Sequence, residues 1–235
     1  MINYAHRGAS EYAPENTMSS FYLGLLQGAN GIETDVQRTK DGVLVLFHDD
    51  TLDRVTDASG KVSDYTLAEL KKIKVTGDCT TGFYDYIPTF EEFLKVFSAY
   101  NISFAIELKH QGLEADVLEL AEKYGIMDRM TVTSFNFEYI KRIKEINKNA
   151  RVGWLIVCPD ENDMKKLLEI GGEEMAVKAE DTTDDLVARL RGAGLGVRAW
   201  GLFSRDLMKE MCRLKVDGMT VNFPNRLFEY LSVSE

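Results

Sequence analysis

Residues 31–49 read GIETDVQRTKDGVLVLFHD. Two apolar runs, GIETDV and VLVLFH, flank Lys40-Asp41-Gly42, a hairpin turn signal. A parallel partner would need a crossover of about a dozen residues, and the interval is too short for one. The second run therefore returns antiparallel to an extension of the first. That return brings His48 back beside Glu33 and Asp35.

Outside this hairpin the chain alternates strictly. Short apolar runs (INYAH, GIETDV, SFAIELK, MTVTSF, VGWLIV, MAVKAE, GVRAWGL, GMTVNFP) are separated by amphipathic stretches of helical period. Thr89 with Glu92 forms a capping box at one helix start. Gly125 and the segment from Gly192 to Gly196 mark helix ends. Eight strand–helix units in 235 residues match the count and length of a (β/α)8 TIM barrel, an α/β fold. The alternative is a doubly wound open sheet, which usually opens on a G-x-G-x-x-G turn; none is present. Residues 49–88 form an excursion between the second strand and the second helix. Thr66 with Glu69 predicts a short helix inside it. An insertion in a βα loop lies over the catalytic face of a barrel, so we expect it to cap the pocket. Residues 1–235 as a whole read as one barrel domain.

Composition narrows the function. Apolar residues make up 45% and charged residues 28%, with 4 Pro, a globular balance rather than a disordered one. The net charge of −10 disfavours nucleic acid or an anionic membrane as the main partner, while leaving room for an anionic ligand in a local positive pocket. Cys79, Cys158 and Cys212 are too far apart for a CxxC motif, so neither a disulfide framework nor a zinc knuckle is indicated. We read them as buried or idle thiols in a reducing compartment. No basic-then-apolar leader precedes Tyr4-Ala5-His6, and the run from Val43 to Phe47 is too short to span a bilayer. The expected setting is cytoplasmic, without stable membrane anchoring. The sequence sets no oligomeric state.

The polar residues fall at the strand ends. His6 and Arg7 close the first strand. Glu33 and Asp35, two apart, point to one side of the second. Glu107 and Lys109 do the same on the third, with Ile106 and Leu108 facing the helices. Trp200 ends the seventh and Asn222 the eighth. In a barrel these ends converge on the active face. Three converging carboxylates repel one another and are each penalised by desolvation. A divalent cation removes that cost, and oxygen-only ligands suit Mg2+ or Ca2+ better than zinc. Arg7 and Lys109 beside such an ion make a positive centre fit for a phosphate. His6 and His48 on its flanks supply acid and base at neutral pH.

These residues resemble the glycerophosphodiester phosphodiesterases, a family with a phosphatidylinositol-phospholipase-C-like barrel. HRG at 6–8, PENT at 14–17, ETDVQRTKDG at 33–42, FHDDTLDRVT at 47–56, IELK at 106–109 and VDGMTVNFP at 216–224 carry the likeness, in the family's order. The resemblance implies metal-dependent hydrolysis of glycerophosphodiesters to sn-glycerol 3-phosphate and an alcohol such as choline or ethanolamine. It implies Glu33, Asp35 and Glu107 as metal ligands and His6 and His48 as the acid–base pair. Arg7 and Lys109 would contact phosphate, and Trp200 would form an aromatic wall against the glycerol. Two routes stay open: attack by the substrate's own glycerol hydroxyl through a cyclic phosphate, or direct attack by water. Two departures stand out. Gly201-Leu202-Phe203 replaces the usual Thr-Val-Asn after the Trp. Val221-Asn222-Phe223 replaces the usual Thr-Asp before the Pro, which leaves Asn222 without a role.

Plainer readings compete. A lone His at a strand end is ordinarily structural; two meeting one carboxylate cluster reverse that. Glu33 and Asp35 as partners of Arg7 and Lys109 alone would leave three anions against two cations. Glu15 in PENT bonds to Arg7 or starts the first helix. His110 reads as a surface loop residue, Lys178 with Glu180 as a structural pair, and Glu114 to Glu122 as solvated helix surface. Two other functions are weighed: a phospholipase-like barrel acting on a lipid phosphodiester, with Phe83, Tyr84 and Tyr86 as its apolar rim, and a non-catalytic sensor of a phosphate ligand.

Overall fold

A computed structural model of the chain describes residues 1–77 and 83–233. In chain order the strands are β1 (Ile2–His6), β2 (Gly31–Arg38), β3 (Leu44–Leu46), β4 (Lys74–Val75), β5 (Asp85–Tyr86), β6 (Ser103–Leu108), β7 (Met130–Ser134), β8 (Arg151–Ile156), β9 (Glu174–Lys178), β10 (Gly196–Trp200) and β11 (Gly218–Val221). The helices are α1 (Met18–Leu26), α2 (Leu67–Leu70), α3 (Phe90–Phe97), α4 (Glu114–Lys123), α5 (Phe137–Ile146), α6 (Glu161–Glu169), α7 (Asp184–Gly192), α8 (Arg205–Arg213) and α9 (Pro224–Val233). Among the described residues, β1, β2 and β6 to β11 pair in parallel, and the β1–β2 pairing closes the ring into a (β/α)8 barrel. β3 runs antiparallel on the outside of β2, with Val36 opposite Leu46 and Arg38 opposite Leu44. The short turn dictated that pairing.

Strand period sorts the side chains. Ile32 and Val36 of β2, with Phe104, Ile106 and Leu108 of β6, face outward and are buried under Phe90, Phe93, Leu94 and Phe97 of α3. The Phe93 ring meets Phe104 at 5.9 Å and 85°, an edge-to-face contact that adds about 0.5–1.5 kcal/mol to its area burial. Thr89 and Glu92 cap α3 reciprocally, as do Thr66 and Glu69 at α2. The barrel interior is unusually polar. Arg198 is buried there, its Nε donating to Glu174 Oε1 at 2.8 Å and its Nη1 to Thr220 Oγ1 at 3.1 Å. A cation so buried is tolerable only when paired.

The excursion after β3 has a small core of its own. Leu52, Val55, Val62, Leu70, Ile73, Val75 and Ile87 pack against Val45 and Phe47. Asp85 ties it to the barrel by accepting the Ser19 N–H at 3.0 Å.

Several expectations need correction. Glu114 is not solvated surface: it is buried, and its Oε2 accepts the Gly112 N–H at 2.8 Å, because the loop before α4 folds over it. The thiols are not uniformly buried either. Cys158 is exposed and Cys212 half-buried, while Cys79 lies outside the described residues. His110 is exposed, and Lys178 pairs with Glu180 at 2.5 Å, as the sequence indicates.

Candidate active site

The HRG stretch turns sharply at the end of β1. Arg7 adopts φ 55, a left-handed conformation that costs about 1–3 kcal/mol in a non-glycine residue and clusters at functional sites. The turn aims its N–H at β2, where it donates to the Glu33 carbonyl oxygen at 2.9 Å and to Glu33 Oε2 at 3.2 Å. Only glycine fits next. Gly8 has φ 83, and a Cβ there would stand 2.4 Å from the Ser20 backbone. Asn16 of PENT is also left-handed, with φ 55. Its Nδ2 donates to Asp35 Oδ2 at 2.8 Å, and its Oδ1 accepts from Thr34 Oγ1 at 2.7 Å. Two strained residues thus touch the acidic centre directly.

That centre is Glu33, Asp35 and Glu107. All three are buried, and one oxygen from each lies within 4.8 Å of the others. Register explains the meeting, because Asp35 lies opposite Glu107 on the neighbouring strand. Burial, then the charges of Asp35 and Glu107, push the Glu33 carboxyl well above its usual range. Burial and Asp35 raise Glu107 as well. Asp35 is driven the other way: burial opposes its ionisation, but Lys109 and Arg7 outweigh it. Three oxygen donors of opposed tendencies, this close and this buried, fit a hard divalent cation. Asp35 Oδ1 adds to the fit: it accepts no well-formed hydrogen bond and has only the approach of Lys109 Nζ, at 3.2 Å.

Two imidazoles flank the centre. His6 Nδ1 donates to Asn222 Oδ1 at 2.5 Å. That bond fixes the tautomer and leaves Nε2, 3.9 Å from Glu33 Oε2, as the free acceptor. Burial and Arg7 push the ring's pKa well below its ordinary value. The His6 side chain keeps 29% of its surface open to solvent. His48, at the end of the hairpin return, donates from Nδ1 to Asp49 Oδ1 at 2.5 Å.

All of this opens on one cavity of about 560 Å³, lined on its polar side by His6, Arg7, Glu33, His48 and Glu107. Its other side is apolar: Phe135, Leu155, Trp200, Leu202 and Phe203. The Trp200 ring meets Phe135 edge-on at 5.1 Å, and its Nε1 donates to the Ala176 carbonyl at 2.9 Å. Phe83, Tyr84 and Tyr86, the rim weighed for a lipid substrate, are exposed but do not line the cavity; Phe135 and Phe203 do. Lys109 sits elsewhere too. Its Nζ bonds back to Glu107 Oε1 at 2.6 Å, and it lines an adjoining groove that shares His48 and Glu107. Sequence reasoning missed Asn16, Asp49 and Arg54 as parts of the site, although the motifs PENT and FHDDTLDRVT contain them. It placed Asn222 on the active face without a role, and the structure pairs it with His6.

A (β/α)8 barrel with a carboxylate centre that fits a hard cation, framed by imidazoles and a guanidinium, defines a class of barrel enzyme suited to phosphate esters. The model of the glycerophosphoryl diester phosphodiesterase family matches residues 6–226. A glycerophosphodiester phosphodiesterase of Bacillus altitudinis is 34% identical over 238 residues, covering 95% of each chain. Another, from Caldanaerobacter subterraneus subsp. tengcongensis, is 30% identical over 95% of this chain and 94% of its own. Among solved structures, a phosphodiesterase of Oleispira antarctica in complex with the product sn-glycerol-3-phosphate superposes with a TM-score of 0.89. It is 27% identical, over 97% of this chain and 96% of that one. The chain belongs to the glycerophosphodiester phosphodiesterase family, and it is an enzyme of that kind.

Proposed function

We propose that the protein hydrolyses glycerophosphodiesters to sn-glycerol 3-phosphate and an alcohol, with a divalent cation, Mg2+ or Ca2+, held by Glu33, Asp35 and Glu107. The observation that carries this is the buried triad within 4.8 Å, two of whose members, Glu33 and Glu107, line the same cavity as His6, His48 and Arg7. When bound there, such an ion would supply Lewis-acid polarisation to a phosphoryl oxygen and to the attacking oxygen. The chain's own residues do the rest. Arg7 holds a phosphoryl oxygen against the centre. One imidazole takes the proton of the attacking oxygen, and the other protonates the leaving one, each transfer contributing about 10²–10⁴-fold. Lys109 acts from the side, balancing the charges of Asp35 and Glu107. Trp200 forms the wall against the glycerol.

The insertion at 49–88 caps this face of a single domain, supported by Arg54 and Gly77 in the cavity wall. Among the described residues, no helix is long and apolar enough to cross a membrane. An exposed free thiol at Cys158 suits a reducing, cytoplasmic setting.

The test is direct. Glycerophosphocholine is incubated with the protein and Mg2+ or Ca2+, and glycerol 3-phosphate is read with a coupled dehydrogenase. Release that stops with chelator and returns with excess cation is expected. Activity that survives chelation overturns the metal assignment, and an inert protein that binds the substrate tightly favours the sensor. The apolar wall supports one further comparison, lysophosphatidylcholine against glycerophosphocholine, because an acyl chain on the glycerol would lie along Trp200, Phe135 and Phe203.

A further inference from the structure

Arg54 comes from the insertion, yet it grips two carboxylates that belong to the site. Its Nε and Nη2 donate to Asp49 Oδ2 and Oδ1 at 2.6 and 3.1 Å. Its Nη1 and Nη2 donate to Glu15 Oε2 and Oε1 at 2.9 and 2.7 Å. Each carboxylate has a second duty. Asp49 accepts the Nδ1–H of His48 at 2.5 Å. Glu15 accepts from Arg7 Nη1 at 3.0 Å, and Arg7 Nε lies 3.3 Å from Asp35 Oδ2. One continuous series of charged contacts therefore runs from His48 through Asp49, Arg54, Glu15 and Arg7 to Asp35.

Two planar forks on one guanidinium are far more exacting than a surface ion pair. A fork fixes direction as well as distance, and a lysine ammonium cannot reproduce it. Arg54 is held in turn by the insertion's core, since Leu52 and Val55 on either side are buried. The backbone on either side of His48 is tied to β2, by the Phe47 N–H to the Asp35 carbonyl at 3.1 Å and by Gln37 Nε2 to the Phe47 and Asp49 carbonyls at 3.0 and 2.6 Å. The ring itself is not: its Nδ1 takes its partner from the next residue in the chain rather than from the barrel.

We infer that Arg54 is a positioning residue that sets His48 and Arg7 at once, so that the insertion fixes the geometry of the reaction and does more than cover it. This rests on the phosphodiesterase reading above. Displacement of a reacting group by about 1 Å can cost on the order of 10²-fold. Arg54→Ala is therefore expected to lower kcat about 10–100-fold, with the thermal midpoint little changed. Because 41% of the Arg54 side chain is open to solvent, added guanidinium or methylguanidinium should restore much of the rate, and methylammonium should not. Arg54→Lys is expected to stay impaired, and it serves if the alanine variant fails to fold.

A second readout needs no turnover. The protein has three histidines, so the ring nitrogen signals are separable by NMR. In the variants the His48 signals should move and those of His6 should not. Wild-type activity in the glycerophosphocholine assay tests the phosphodiesterase reading alone. Rates within twofold of wild type, a loss that guanidinium leaves in place, or unmoved His48 signals overturn the role of Arg54.

Discussion

The two histidines stand on unlike ground. His6 ends a strand that is hydrogen-bonded on both sides, by β11 and by β2, and its Nδ1 partner is the neutral amide of Asn222. His48 lies past the end of a three-residue strand, and its partner is a carboxylate that Arg54 holds in place. One ring is set by the backbone ladder of the barrel. The other has its backbone tied to β2 by Phe47 and Gln37, but its ring meets a side-chain charge held from a separate small core. In the proposed pairing, one ring is thus carried by the barrel's own framework, and the other, on the hairpin return, takes its Nδ1 partner from the first residue of the inserted segment.

Removing either ring should show that both are needed despite this difference. His6→Ala and His48→Ala are each expected to lower kcat on glycerophosphocholine by about 10²–10⁴-fold, with circular dichroism unchanged. A loss in one variant only would break the pairing. The orienting partners should separate the two. Asp49→Asn takes a charge from both His48 and Arg54, and about a 10–100-fold loss in kcat is expected. Asn222→Asp keeps an acceptor at His6 Nδ1 and should stay within about tenfold of wild type, whereas Asn222→Leu removes the acceptor and should fall further. The smallest and most local effect belongs to the insertion's core. Leu52→Ala empties a buried site and is expected to cost about 2–5 kcal/mol. If the two cores respond separately, calorimetry will show that loss below the main barrel transition, and activity will fall with it. Phe104→Ala, in the outer layer of the barrel, will instead lower the main transition itself.

Much of this was legible in the sequence. The alternation placed the strands and helices, because period 2 and period 3.6 are local properties. The same period put Glu33, Asp35 and Glu107 on the inner face, and the Lys40-Asp41-Gly42 turn required the antiparallel return. What stayed hidden is long-range. Arg54 meets Glu15 across 39 positions and Asn222 meets His6 across 216, and no local pattern encodes either contact. The left-handed turn at Arg7 was equally silent, because arginine does not announce positive φ; Asn16 carried a weak signal, since asparagine is enriched there among non-glycine residues. Lys109 shares a strand face with Glu107, but its flexible stem carries the ammonium back onto that neighbour and away from the main cavity.

The central claim is that three buried carboxylates hold one hard cation, and calorimetric titration of chelator-stripped protein with Mg2+ and with Ca2+ tests it most directly. A single site is predicted, lost in Asp35→Asn. At a free cation concentration about a hundred times the dissociation constant, it should stabilise the fold by about 2.7 kcal/mol. Titration without heat or stabilisation for either ion, or binding that persists in Asp35→Asn, would contradict it.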